Sequence, residues 1–95
     1  MILNYTEIVV KELFEETLNF YIKKTGVICT CKMCRDDILA STLNCLPPHY
    51  VTSQTGMVIM KATFNVATNR QQVISTIIEA IYRVSKKPNH TVERI

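Results

Sequence analysis

Residues 29–51 read CTCKMCRDDILASTLNCLPPHYV, and their order (three cysteines, a helical period, a double proline) decides how the chain folds. Cys29, Cys31 and Cys34 place three thiols within six positions. In RDDILASTLN, residues 35–44, the apolar positions recur at helical spacing, so Ile38, Leu39, Thr42, Leu43 and Leu46 form the buried face of a short helix. Asp36 and Asp37 suit the first turn of that helix, where the backbone dipole favours negative charge. Asn44 tolerates the left-handed conformation that ends helices, and Pro47-Pro48 forbids continuation. The cysteines therefore occupy the approach to a helix, and whatever precedes them must pack beside it.

Upstream, residues 4–26 read as a long amphipathic helix, with Ile8, Val9, Leu13, Phe14, Leu18 and Tyr21 in one stripe that Phe20 and Ile22 widen. Glu7 and Glu12 lie toward its start, Lys23 and Lys24 toward its end, and Gly26 fits a C-terminal cap. A stripe this broad on so small a domain predicts burial on two sides, one of them against another subunit. Downstream, Tyr50 and Val51, the turn-like Ser-Gln-Thr-Gly and the β-prone run Met57–Phe64 predict a short hairpin or extended arm. Asn69 and Gln72 are spaced as a capping box for a last helix, whose face is Val73, Ile74, Ile77, Ile78, Ile81 and Val84 and whose stop is Pro88. The expected fold is mainly α: one domain over residues 1–95, a bundle of three to four helices with a hairpin or arm, forming a symmetric dimer.

Composition agrees with one small folded domain: 95 residues, 47% apolar, with two glycines and three prolines. A core of this size gives thin stability, so a structural metal or a dimer partner carries real energetic weight. No stretch approaches the length of a transmembrane helix, and the start, MILNYTEIVVKE, lacks the basic lead and apolar run of a signal peptide. These features predict a cytoplasmic protein, in which clustered thiols signal metal or redox chemistry rather than disulfides. The net charge of +3 is unevenly placed, −1 over residues 1–45 and +4 over residues 46–95. The basic residues of the second half are dispersed, so this asymmetry permits an anionic ligand without identifying one, and direct binding of a nucleic-acid polymer is not expected.

In the metal reading of the triplet, the short Cys31-x-x-Cys34 turn lets two sulfurs face one ion and Cys29 closes a third side. Cys34 stands before the predicted helix, whose N-terminus is expected to favour its thiolate. In the redox reading Cys31 and Cys34 form a dithiol, but that motif usually follows a strand, and none is predicted here. Zinc is the default ion for thiolate-rich sites, although spacing alone also admits iron. A closed site needs a fourth ligand, and the remaining candidates are Cys45, His49 and His90. Two sulfurs on one zinc lie only about 4 Å apart. Cys34 and Cys45 are eleven positions apart across a predicted helix, roughly 16 Å along its axis. Cys45 is thus expected to be a buried, apolar helix-end residue. His49, beyond the double proline, is expected at the surface. His90 follows the Pro88 stop, where the chain is able to fold back, and is the expected ligand, ahead of water or a group from a partner chain. Catalysis is not expected. No Ser-His-Asp pattern, phosphate loop or His-Glu-x-x-His is present, and Glu12 and Glu16 belong to a solvated helical face.

Taken together, NYTEIVVKEL, CTCKMCRDDILASTLNCLPPHYV and KKPNH resemble the late competence protein ComFB family over nearly the whole chain. The most specific part is Leu43-Asn44-x-Leu46-Pro47-Pro48-x-Tyr50-Val51 joined to the cysteine triplet. The resemblance implies a small, helical, cytosolic bacterial protein that forms a homodimer and carries zinc on Cys29, Cys31 and Cys34, and KPNH matches a recurrent C-terminal motif around His90. It also implies two functions. One is a zinc-stabilised, non-enzymatic accessory or interaction protein. The other is a receptor for a cyclic dinucleotide, cyclic di-GMP or cyclic di-AMP. Bound phosphates need Arg or Lys forks or helix N-termini, and by its position at the start of the last helix Arg70 is the best-placed candidate.

Overall fold

The computed structural model describes residues 1–86. Four helices, α1 (Tyr5–Thr25), α2 (Lys32–Cys45), α3 (Gln54–Phe64) and α4 (Ala67–Lys86), are joined by a two-stranded sheet of β1 (Leu3–Asn4) and β2 (Tyr50–Val51). The strands run antiparallel, with Leu3 opposite Val51 and Asn4 opposite Tyr50. Among the described residues no helix is long and apolar enough to cross a membrane.

The ends of α1 follow local chemistry. Asn4 is its N-cap: the side-chain Oδ1 accepts the Thr6 N–H at 3.1 Å and the His49 N–H at 2.8 Å, so one amide both starts the helix and holds the far strand. At the other end Gly26 takes φ +107°, and its N–H donates to the Ile22 carbonyl at 2.8 Å. Cys31 caps α2, three residues earlier than the sequence suggests, so Asp36 and Asp37 fall outside the first turn. The helix ends at Cys45, and Leu46 returns to extended backbone before the prolines.

The segment expected to be a hairpin or arm is largely helix. Only Tyr50–Val51 is strand, and its partner comes from the N-terminus rather than from residues 57–64. Ser53 caps α3 by accepting the Gly56 N–H on Oγ at 3.1 Å. Met57, Met60 and Phe64 then face the core at helical spacing, while Val58 and Ile59 face outward. β-branched side chains suggested a strand, but a stable helix requires only the inward period, and Ser53 supplies its cap. α4 also starts early, at Ala67; Asn69 lies inside it and donates Nδ2 to the Thr63 carbonyl at 2.8 Å, tying the end of α3 to the start of α4.

The core lies among α1, α2 and α4, built from Val10, Leu18, Ile38, Val73, Ile77 and Ile81, all with at most 1% exposure. Buried Thr42 donates its hydroxyl to the Ile38 carbonyl within α2, so its polar atom needs no other partner. Phe64 anchors α3, with its ring 6.0 Å from Tyr5 and 5.4 Å from His49.

Candidate metal centre

The link between α1 and α2 ends in a cap made of sulfur. Cys31 has extended backbone, and its Sγ accepts the Cys34 N–H at 3.5 Å. The helix therefore winds so that Cys34, in its first turn, swings back toward Cys31. Cys29 reaches the same point from the irregular link that precedes α2, and the three Sγ atoms lie within 4.8 Å of one another. Around a tetrahedral zinc, sulfurs sit about 4 Å apart, so this donor set already has nearly the spread a metal requires. The three residues fit a thiolate-bound ion.

Their environments differ. Cys34 is buried at 1% exposure, Cys29 is half-buried and Cys31 is exposed. Burial, reinforced by Cys29 and Cys31 beside it, pushes the Cys34 thiol up to about 12. Cys31 moves the other way, lowered chiefly by the backbone N–H of Cys34. The helix N-terminus thus favours the thiolate of Cys31 and not, as the sequence suggested, that of Cys34, because the helix begins three residues sooner. None of the four cysteines is in a disulfide.

The structure brings together only part of the expected ligand set. Cys45 sits at the far end of α2 from Cys34 and takes no part in the centre. It is exposed rather than buried, with its sulfur 3.6 Å from Arg83 Nη2. His49 is half-buried rather than superficial: Nδ1 lies 2.8 Å from Thr6 Oγ1, its carbonyl accepts the Tyr5 N–H at 2.7 Å, and its ring meets Phe64 edge-on. It is occupied in holding β2 to α1. His90 lies outside the described residues. Arg70 is in the first turn of α4, half-buried, and remote in sequence from the thiols.

One residue at the centre escaped the sequence reading. Arg35 donates Nε to the Thr30 carbonyl at 3.0 Å, pairs with Glu15 of α1 and lies 5.8 Å from the centre of the Phe14 ring. Its position directly after Cys34 was the available signal.

This arrangement of helices has known counterparts. The family profile for the late competence development protein ComFB matches residues 3–88. The chain belongs to the ComFB family. Competence protein ComFB of Bacillus subtilis (strain 168) is 32% identical over 89 residues, covering 94% of this chain and 87% of that protein. The solved structure of the late competence protein ComFB from Bacillus subtilis superposes with a TM-score of 0.79 at 30% identity, covering 94% of this chain and 93% of the other. The mainly α ComFB fold is thus common to both.

Proposed function

We propose that the protein is a zinc-stabilised, dimeric accessory protein of the late competence ComFB type, acting in the cytoplasm by binding rather than catalysis. The observation that carries this reading is the convergence of three sulfurs, one of them capping α2 and one buried beneath it. Such a centre is structural in character. It joins the end of the α1–α2 link to the first turn of α2, and three thiolates donate enough charge to make zinc a poor Lewis acid. His90 is the proposed fourth ligand.

Support for a dimer comes from α3 and the joint that follows it. Val58, Ile59 and Val66 are 67%, 58% and 51% exposed, a run of apolar side chains on one edge of a small domain. The deciding experiment measures metal content and mass together. About one zinc per chain and light scattering near twice 10.9 kDa are expected. Metal-free monomer would overturn the proposal. Chelator competition assigns the fourth ligand: His90→Ala should weaken zinc binding, and Cys45→Ala should not.

A second reading, a cyclic dinucleotide receptor, is favoured by one feature. Arg70 has no ion-pair partner among the described residues and stands at the N-terminal end of α4. Its neighbours Asn69, Gln72 and Val73 line a cleft of about 200 Å³ with His49 and Phe64. Calorimetric titration with cyclic di-GMP and cyclic di-AMP tests this reading. Saturable micromolar binding that Arg70→Ala weakens by more than about 1.5 kcal/mol is expected of a charged hydrogen bond to phosphate. Flat traces would remove it.

A further inference from the structure

The three cysteines do not converge unaided. The two that precede α2 belong to an irregular link, and an irregular link has many conformations to lose before its sulfurs meet. Within α2, Cys34 is fixed by helix geometry and Cys31 by its capping bond. Cys29 lies two positions before the cap, where helix geometry does not dictate the backbone, although its sulfur meets those of Cys31 and Cys34. Its place depends on how the peptide between Cys29 and Cys31 is held.

That peptide is held by Arg35. The Nε–H of Arg35 donates to the Thr30 carbonyl at 3.0 Å, and the Arg35 backbone N–H donates to the Cys31 carbonyl at 2.9 Å. Two consecutive carbonyls of the cysteine link therefore end on one residue of α2. The guanidinium then reaches across to α1, where it pairs with Glu15 and lies over Phe14. Phe14 is a core residue at 4% exposure, so the Arg35 side chain stands against a fixed wall rather than in open solvent. Lys11, Glu15, Thr30, Lys32 and Asp36 surround the same cleft. Of these side chains, Arg35 alone donates to the cysteine link among the described residues. Its charge is suitable as well: an ion held by three thiolates carries a net charge of −1 with a neutral fourth ligand, and a guanidinium one residue from Cys34 offsets it.

Resting on the metal reading, we propose that Arg35 is the positioning residue of the centre, holding the Cys29–Cys31 link against α1 so that three sulfurs face one ion. Groups that orient metal ligands without touching the ion typically contribute roughly 10–100-fold in affinity. A planar fork is needed, because one nitrogen must reach Thr30 while another reaches Glu15, and a lysine has only one.

The test titrates purified full-length protein, stripped of metal under reducing conditions, with zinc against a chromogenic chelator and with cobalt(II) as a spectroscopic probe. Arg35→Ala should weaken zinc binding at least tenfold, with helicity by circular dichroism retained, and should alter the cobalt bands that report thiolate geometry. Arg35→Lys should restore only part of the affinity, and Glu15→Gln should cause a smaller loss than Arg35→Ala. Affinity in Arg35→Ala within twofold of the parent, with an unchanged cobalt spectrum, would overturn the role of Arg35 and leave the metal centre standing. Full restoration by Arg35→Lys would overturn the fork argument and reduce the role to charge. A parent protein that binds neither ion would overturn both the centre and the role of Arg35.

Discussion

Cys31 and Cys34 stand three positions apart and meet opposite electrostatic surroundings. The first is exposed at a helix N-terminus, which favours its thiolate, and the second is buried, which favours its thiol. The consequence for metal uptake has a definite sign. With its pKa pushed up to about 12, Cys34 holds a proton at neutral pH in the metal-free protein, and an incoming ion must displace it. Apparent zinc affinity should therefore rise with pH between 6 and 8, by about tenfold per unit for each proton displaced. Calorimetry in buffers of different ionisation enthalpy checks the proton count, and a pH-independent affinity would contradict it. In the metal-free protein the linkage runs the other way. The raised pKa of Cys34 supplies stability below the ordinary thiol value of 9, and that stability drains away as pH climbs toward 12. Removing the ligand is simpler: Cys34→Ser should abolish tight zinc binding, whereas Cys45→Ser should leave it intact, as measured by zinc retained after dialysis.

Among elements, β1 and the start of α1 concentrate the most long-range bonding in the fewest residues. Asn4 Oδ1 accepts from both Thr6 and His49, and Thr6 Oγ1 donates to the Pro47 carbonyl at 2.9 Å. Asn4→Ala removes the α1 cap and leaves the His49 N–H without its acceptor, so it should cost about 1–3 kcal/mol in denaturant unfolding. A loss under about 0.5 kcal/mol would show that water replaces both bonds. Three of the four helices were legible from period alone, because α1, α2 and α4 carry long apolar stripes. α3 was not: Val58 and Ile59 read as strand residues, and the quieter period of Met57, Met60 and Phe64 was the true signal. The triplet was equally legible, since its spacing is local. The preference of Cys31 over Cys34 for the thiolate was hidden, because it turns on which cysteine caps α2, and spacing does not say. The Arg35–Glu15 contact was hidden for another reason, as no short-range pattern marks a pair brought together from two helices.

At the scale of the molecule, three helices share one core and the fourth lies on its flank with apolar residues outward. Ile77 is at the centre of α4 with no exposed surface, and Ile77→Ala should destabilise by about 2–5 kcal/mol through lost contacts and a residual cavity. The outward face of α3 predicts a different outcome. Ile59→Lys should leave helicity unchanged but lower the mass seen by light scattering from twice the chain mass toward 10.9 kDa. An intact dimer in that variant would move the interface elsewhere. Metal removal by a strong chelator should lower the melting temperature, since an ion that binds the native state shifts the unfolding equilibrium by mass action.

The compactness of the triplet in sequence limits how large that last effect becomes. Strands β1 and β2 meet only when the ends of a long segment come together, whereas the three thiols are neighbours in any conformation of the chain. A denatured or nascent chain therefore retains chelating power. Zinc bound there would stabilise the fold only by the difference between its affinity for the folded state and for that residual chelate, so saturation should raise the melting temperature by less than the native dissociation constant alone implies. The same locality would give zinc a route into the protein before the helices dock. The ion would then act as a nucleus for the turn between α1 and α2 and as a companion of the chain through refolding, not as a late addition to a finished structure.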